Sequence, residues 1–248
     1  TDSKLCMQAA DAVVVVVDAV DGVKVQTEKA WEYAADFNQP AAIFINKLDR
    51  ERADFQRALQ DMTRSFETPK PIIIHLPIGE EADFKGVIDL VAMKAYIYDG
   101  SGKTVATDIP ADMRDTAAAE REALIENVAE ADDALIEKYL EGQPLTDEEI
   151  KETLRKGTIA RAFVPVLCGS ATKNIGIDIL MDFITNCLPS PLDAASRKGV
   201  NPTDGSPVER KSDSNAPFSG FVFKTVADPY AGRLSLFRVV SGTLGGDG

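Results

Sequence analysis

The chain has 248 residues, of which 44% are hydrophobic and 27% charged, enough for one or two domains with a packed core. Forty acidic residues against 27 basic ones give a formal net charge of -13, and a surface of that sign repels phosphate backbones. We therefore expect no sequence-specific binding to nucleic acid. The longest apolar run, residues 12–17, is too short to span a bilayer, and no charged-then-apolar leader opens the chain. The composition predicts a cytoplasmic α/β protein without membrane contact.

Cysteine and histidine are scarce, which excludes several kinds of metal-binding and catalytic site. Three scattered cysteines and a single histidine, His75, are too few for a disulfide framework, a zinc site or a His-centred catalytic triad. Cys168 has no identifiable base partner and is expected to be a small buried residue. We therefore assign no metal ligand and no catalytic residue in this sequence.

The first part of the chain alternates between strand and helix patterns. The β-branched run at residues 13–17 predicts a strand buried on both faces, as in parallel sheets covered by helices. Apolar residues at helical spacing follow at 27–37, then an apolar strand at 41–45 and a second helix at 55–66. This alternation predicts a doubly wound α/β sheet.

The rhythm changes after residue 66, where two prolines interrupt the chain and short strands precede helices. Thr146 and Glu149 match a capping box and therefore predict the start of one of these helices. The predicted elements are strands at 72–76, 86–91, 95–98 and 163–167, and helices over about 112–140, from 146 onward and around 177–188.

The last part of the chain has a different character. Residues 193–215 are polar and rich in Ser, Asp, Lys and Gly, and this composition predicts a linker. Strands at 218–225 and 233–241 then begin a new β-type unit. Because two strands are too few for a closed barrel or a sandwich, we interpret this unit as truncated.

The tetrapeptide Asn46-Lys47-Leu48-Asp49 directly follows a buried strand, at the edge where open α/β sheets bind ligands. An aspartate carboxylate there can accept hydrogen bonds from the N1–H and the 2-amino group of guanine, whereas adenine offers neither donor. The aliphatic stem of Lys47 could lie along the base plane, and the Asn46 amide could hold the loop. The pattern therefore favours a guanine-specific site.

A second loop, Cys168-Gly169-Ser170-Ala171, also directly follows an apolar strand. Its small residues let backbone N–H groups approach a base, where an amide could donate to the guanine O6. Either loop could instead be an ordinary strand-to-helix connection. The two loops together, each at a strand end, favour the functional interpretation.

Longer motifs resemble the elongation factor G family of ribosomal GTPases. The matching stretches are D-A-V-V-V-V-V-D-A-V-D-G-V, F-I-N-K-L-D-R, L-P-I-G-E-E, G-V-I-D-L-V-A-M-K-A, A-L-I-E-K-Y-L, P-V-L-C-G-S-A, L-P-S-P-L-D and R-V-V-S-G-T-L. By this resemblance, Asn46, Lys47 and Asp49 match the guanine-specificity motif. Ser170 and Ala171 match the second base-contacting loop.

The resemblance also implies a domain plan. Asp49 and Ser170 are 121 positions apart, far more than one helix and one strand need, and the family carries an inserted subdomain there. The implied fold is a doubly wound P-loop-GTPase-type sheet with an inserted mixed α/β subdomain and the start of a β-barrel domain. The implied parts are a partial GTP-binding domain at 1–67 and 157–192, the insertion at 68–156, a linker at 193–215 and a truncated β-barrel domain at 216–248.

Two motifs of the family are not found in these 248 residues: the phosphate loop G-x-x-x-x-G-K-[ST] and the D-x-x-G-H segment. We therefore expect a piece of a larger protein that is a GTPase as a whole and binds GTP or GDP with Mg²⁺. This chain alone is expected to be inactive and to contribute guanine contacts only.

The resemblance implies the ribosome as the partner, and the ribosomal stalk protein as a contact of the inserted subdomain. Residues 112–152 carry 14 acidic against 4 basic side chains, which fits either a docking face for a basic partner or the solvated face of surface helices. Two alternative functions stay open. One is a paralogous ribosome-protection or release-factor GTPase, and the other is a non-enzymatic ribosome-docking module.

Overall fold

A computed structural model describes residues 2–66, 68–100 and 104–246. The predicted domain limits at residues 1, 67 and 248 lie outside the described residues. The chain divides into two compact units, Val13–Leu188 and a second that combines Thr1–Ala12 with Pro189–Gly248. Among the described residues, none of the helices has both the length and the apolar character needed to cross a membrane.

The elements follow in chain order. The described α-helices are α1 (Asp2–Ala9), α2 (Val25–Asp36), α3 (Phe55–Ser65), α4 (Arg114–Ala129), α5 (Asp133–Leu140), α6 (Asp147–Ala160) and α7 (Ile177–Cys187). The described strands are β1 (Val13–Asp18), β2 (Ala41–Asn46), β3 (Lys70–Ile73), β4 (His75–Ile78), β5 (Gly86–Asp89), β6 (Lys94–Tyr98), β7 (Thr104–Thr107), β8 (Phe163–Cys168), β9 (Arg197–Val200), β10 (Pro207–Arg210), β11 (Ser219–Asp228) and β12 (Gly232–Ser241).

A four-stranded parallel sheet forms the centre of the larger unit, in the order β1-β2-β8-β3. Every residue of β8, and every residue of β2 before Asn46, is buried, as expected for strands covered on both faces. Helix α2 packs against β1 and helix α3 against β3. The sequence prediction of a doubly wound α/β sheet is confirmed.

A second sheet lies within the same unit and is antiparallel, in the order β4-β5-β6-β7. Helices α4, α5 and α6 follow it in the chain, and α4 packs against both of the other two. This part has the strands-then-helices organisation that the sequence predicts for the insertion. Its boundaries as an independent subdomain stay a prediction.

Two predicted elements differ from the structure. Residues 72–76 are not one strand. Lys70–Ile73 pairs with β8 and forms an edge strand of the parallel sheet. An edge position tolerates Pro71, which has no N–H to donate to a neighbouring strand. The predicted insertion limit at residue 68 therefore precedes a strand of the parent sheet. The long helix predicted over 112–140 is two helices, because the Asp132 carboxylate accepts from two backbone N–H groups and starts α5.

The predicted linker at 193–215 contains structure of its own in the smaller unit. Strands β9 and β10 pair as an antiparallel hairpin, Arg197 opposite Arg210 and Val200 opposite Pro207. Composition alone indicated a loop because the strand residues are polar and exposed. Strands β11 and β12 form the hairpin that the sequence predicts at the start of the second β-type unit.

Candidate functional site

The carboxyl ends of three neighbouring strands meet at one edge of the parallel sheet. Strand β1 ends at Asp18 and strand β2 at Asn46, and these two residues are direct register partners. Strand β8 lies next to β2 and ends at Cys168, which pairs with Ile45. The sheet order therefore brings both loops singled out from the sequence to the same edge, where ligands of open α/β sheets bind.

The Asn46 side chain connects the two loops. Its Oδ1 accepts hydrogen bonds from the backbone N–H of Lys47 at 2.8 Å and from that of Ala171 at 2.9 Å. Backbone bonds support the same junction, since Gly169 N–H donates to Ile45 O at 2.9 Å and Leu48 N–H donates to Gly169 O at 3.4 Å. One amide oxygen thus fixes the spacing between loops that are 125 positions apart in the chain.

Asp49 has an unpaired carboxylate oxygen at this edge. The residue is partly exposed, but its Oδ1 is buried and has no hydrogen-bond partner among the described residues. The preceding Leu48 is buried at 4% exposure and anchors the loop below it. A buried acceptor without a donor costs free energy, which a ligand with an N–H group at this position would recover.

Lys47 directly follows β2 and adopts a left-handed backbone conformation with φ 68°. Its Nζ donates to Asp18 Oδ2 at 2.5 Å, and the side chains of Lys47 and Asp18 are 39% and 19% exposed. Burial raises the pKa of Asp18, but hydrogen bonds from Lys47 and from the backbone N–H of Val20 outweigh it, so the net pKa lies below its usual value. The pair therefore favours the charged form of the Asp18 carboxyl.

Sequence reasoning missed this ion pair. Asp18 Oδ1 accepts from Val20 N–H at 2.9 Å, as is usual in a turn, but its second carboxylate oxygen accepts from Lys47 Nζ. The signal that could have found the pair is the strand order, because parallel neighbours that end together put Asp18 beside Asn46-Lys47.

Ser170 stabilises the second loop through hydrogen bonds to residues of the same loop. It is fully buried, its N–H donates to Ile175 O at 2.9 Å, and the Ile175 N–H donates back to Ser170 O at 3.0 Å. Its hydroxyl lies 3.3 Å from the Thr172 hydroxyl and accepts from Lys173 N–H at 3.3 Å. The Ser170 N–H is therefore engaged within the loop, and Ala171 N–H is engaged with Asn46. A base oxygen reaching Ala171 would have to share that N–H.

Gly169 is required by the closeness of the backbone at this point. A Cβ added there would lie 2.3 Å from the carbonyl oxygen of Ile175 and 2.8 Å from the ring of Phe44. The neighbouring Cys168 is fully buried, and burial raises the pKa of its thiol far above the usual range. Cys168 is therefore a packing residue, whereas Gly169 permits the tight turn.

Among residues 2–66, 68–100 and 104–246, no group of three or more His, Cys, Asp or Glu side chains is arranged to hold a metal ion. The edge described here combines instead a buried carboxylate acceptor, an ion-paired lysine and one loop of small residues at 168–171. Such an arrangement can read hydrogen-bond donors on a planar heterocycle.

Comparisons with known proteins bear on this edge and on the whole chain. The family described as elongation factor Tu GTP binding domain matches residues 2–190. Over 240 residues, the chain is 45% identical to Elongation factor G of Thermotoga neapolitana and 44% identical to Elongation factor G of Thermotoga maritima. Each match covers 96% of this chain and 34% of the relative, so the chain spans about a third of the length of these relatives.

A solved structure is similar as well. The crystal structure of ttk003000868 from Thermus thermophilus superposes with a TM-score of 0.79 at 28% sequence identity. The superposition covers 97% of this chain and 33% of that one. Together, these similarities confirm the resemblance that the motifs predict, and with it the GTPase-type α/β fold.

Proposed function

Because the chain belongs to the family of the elongation factor Tu GTP binding domain, we propose that it supplies the guanine-recognition part of the GTP site of a ribosomal translation elongation factor of the elongation factor G type. Asn46, Lys47 and Asp49 form one side of this part. Ser170 and Ala171 form the other.

The observation that carries the proposal is the buried, unpartnered Oδ1 of Asp49. Guanine presents an N1–H and a 2-amino group on one edge, and a carboxylate accepts from both. A site built to accept these donors rejects a base that lacks them, because its own acceptor would then stay unpaired. Asp49 is thereby the specificity residue.

The other residues have supporting roles in the proposal. The Lys47 stem packs along the base while its ammonium group is oriented by Asp18. Asn46 keeps the two loops at a fixed spacing through its bonds to Lys47 and Ala171. Ser170 keeps the turn closed, and the Ala171 N–H is shared between Asn46 and the guanine O6.

For the whole protein we propose GTP hydrolysis in the cytoplasm, with the ribosome as partner. The acidic stretch at 112–152 forms α4, α5 and the start of α6, and is proposed as the face that meets the ribosomal stalk protein. Mg²⁺ belongs to the phosphate end of the nucleotide, and we assign none of the described residues to it.

The experiment is a competition between guanosine and xanthosine nucleotides on the complete protein that contains this chain. The chain alone is unsuitable, because base contacts alone give a dissociation constant of about 1 mM at best and most nucleotide binding energy comes from phosphate contacts. In the complete protein, Asp49→Asn should weaken the guanine nucleotide by about 30- to 1000-fold, or about 2 to 4 kcal/mol, and improve the relative binding of the xanthine nucleotide. Xanthine carries a carbonyl where guanine carries the amine, and the asparagine amide can donate to it.

Lys47→Ala is the matched control within the same loop. It should weaken both nucleotides mildly without changing which base is preferred, since the proposed part of Lys47 is packing. An Asp49→Asn variant that still prefers guanine over xanthine would remove Asp49 from the site.

A further inference from the structure

A cleft of about 840 Å³ opens in the larger unit, away from the edge that carries Asp49. One face of the β4-β5-β6-β7 sheet forms one wall, and helices α6 and α7 form the other. The volume falls within the range of about 300–1,000 Å³ that is usual for small-molecule sites. None of the residues proposed to contact guanine lines this cleft.

The antiparallel register determines which side chains face the cleft. His75 is the direct partner of Asp89, and Val87, two positions before Asp89, is the partner of Tyr96. Because side chains alternate between the faces of a strand, His75, Asp89 and Tyr96 lie on the same face. All three line the cleft, and Thr104 on the neighbouring strand lines it beside them.

His75 has an unsatisfied polar atom at this wall. The residue is 2% exposed, and its Nδ1 has no hydrogen-bond partner among the described residues. Burial lowers the pKa of His75 below its usual value, and the charges of Asp89 and Asp178 offset only part of that effect. The ring is therefore neutral at pH 7, and a neutral imidazole has one acceptor nitrogen that favours an N–H donor.

Carboxylates surround the cleft and outnumber its basic groups. The acidic lining residues are Asp89, Glu148, Glu152, Asp178 and Asp182, and the basic ones are Lys151 and Arg155. Arg155 donates to the backbone oxygens of Asn186 at 3.2 Å and Leu188 at 3.1 Å, so its guanidinium is already used. Asp182 makes no hydrogen bond or ion pair within the described part of the chain and is exposed.

An aromatic ring lies among these carboxylates. Burial raises the pKa of the Tyr96 hydroxyl, and three nearby carboxylates raise it further. They are those of Asp89, Asp182 and Asp178. An aromatic ring with carboxylates nearby attracts cations in two ways, through the ring quadrupole and through charge. Apolar Ile179 and Phe183 complete the wall between the charged positions.

We propose that this cleft binds a linear aliphatic polyamine. The ammonium groups of such a ligand donate to the carboxylates of Glu148 and Asp182 and to the Nδ1 of His75, and its methylene spacers lie against Ile179 and Phe183. Asp178 is not an acceptor for the ligand, because its two carboxylate oxygens already accept from the hydroxyls of Tyr98 and Thr104. Glu152 already pairs with Lys156. A metal ion fits less well, because no three His, Cys, Asp or Glu side chains of the described residues converge on one point. The cleft is also much larger than one ion requires.

The test is a titration of spermidine into the 248-residue chain, followed by NMR. His75 is the single histidine of the sequence, so its ring signals report on the cleft without ambiguity. A saturable shift of these signals is expected, with a 1:1 stoichiometry by calorimetry. Asp182→Asn should weaken binding by about threefold or more, the usual size for one partly exposed ion pair.

Asp115→Asn is the matched control, because it removes the same charge from an exposed residue of α4 that does not line the cleft. It should change the dissociation constant by less than about 1.5-fold. The proposal is overturned if the two variants weaken binding equally, since attraction would then be diffuse. It is also overturned if spermidine leaves the His75 signals unmoved, or if Mg²⁺ at equal ionic strength moves them to the same extent.

Discussion

Replacing Asn46 by alanine should disconnect the two loops of the proposed base site. Asn46 Oδ1 is the acceptor for the N–H groups of both Lys47 and Ala171, at 2.8 and 2.9 Å. Each hydrogen bond contributes about 0.5 to 1.5 kcal/mol net, and the Ala171 N–H is exposed enough to rehydrate. We therefore expect Asn46→Ala to lower the free energy of unfolding by about 2 kcal/mol.

The assay is urea unfolding followed by the fluorescence of Trp31, the single tryptophan of the chain. Trp31 lies in α2 of the larger unit and stacks on Phe66, with ring centroids 4.4 Å apart, so it reports unfolding of the unit that contains the site. With a slope of about 2 kcal/mol per M, a loss of about 2 kcal/mol lowers the midpoint by about 1 M. The slope itself should not change.

Asn46→Asp is the control for this experiment. A carboxylate oxygen at the same position can still accept from both N–H groups, so most of the stability should be retained. The variant should also keep the two loops together. If Asn46→Ala unfolds at the midpoint of the parent chain, or if both variants lose the same free energy, the side-chain amide does not connect the loops and the reasoning fails.

Three further predictions concern the same edge of the sheet. Gly169→Ala should lower the free energy of unfolding by about 2 kcal/mol or more in the same urea assay, because the new Cβ would lie 2.3 Å from Ile175 O. Gly199→Ala places its Cβ in open space and should be near neutral. The pKa of Asp18 is lower in the folded chain than its unfolded value near 3.8, so the ionised carboxylate stabilises the fold above that pH. This stabilisation is lost as the pH falls through the pKa of the folded chain. Acid unfolding of the Lys47→Met variant should therefore begin at a higher pH than that of the parent chain. Identical acid-unfolding curves for the two proteins would contradict a stabilising ion pair. The purified chain should hydrolyse no GTP above background in a phosphate-release assay, because its 248 residues contain no phosphate-loop motif. Mg²⁺-dependent turnover that persists through repurification would refute this prediction.

The sequence alone predicted that two loops follow buried strands, and the strand order places both loops at one edge of the parallel sheet. An unbroken apolar run is a local signal for a doubly covered strand, and Ala41–Asn46 fits it. The prediction that the β-branched run at 13–17 is buried on both faces is wrong, because Val13–Asp18 is an edge strand of the described sheet and its Val16 is 56% exposed. Polar or small residues directly after such a run lie at the strand ends, so the two loops could be identified before their strands were paired. The family resemblance rested on the same local stretches and is confirmed by the relatives.

The tertiary structure decided which distant segments meet. Lys70–Ile73 joins the parallel sheet because it pairs with a strand more than 90 positions later, and nothing in its own four residues specifies that partner. The polar hairpin at Arg197–Val200 and Pro207–Arg210 was hidden for a related reason, since exposed strands lack the apolar alternation that composition can detect.

The same division applies within the site. That Asn46, Lys47 and Asp49 contact guanine is a prediction from residue type, position after a strand and family resemblance, and it stays a prediction. That Asp18 neutralises Lys47, and that one oxygen of Asp49 is buried without a partner, follows only from three strands ending side by side. Short-range propensity indicates that a buried strand is present, whereas its partners, burial and ion pairs depend on segments that lie far away in the chain.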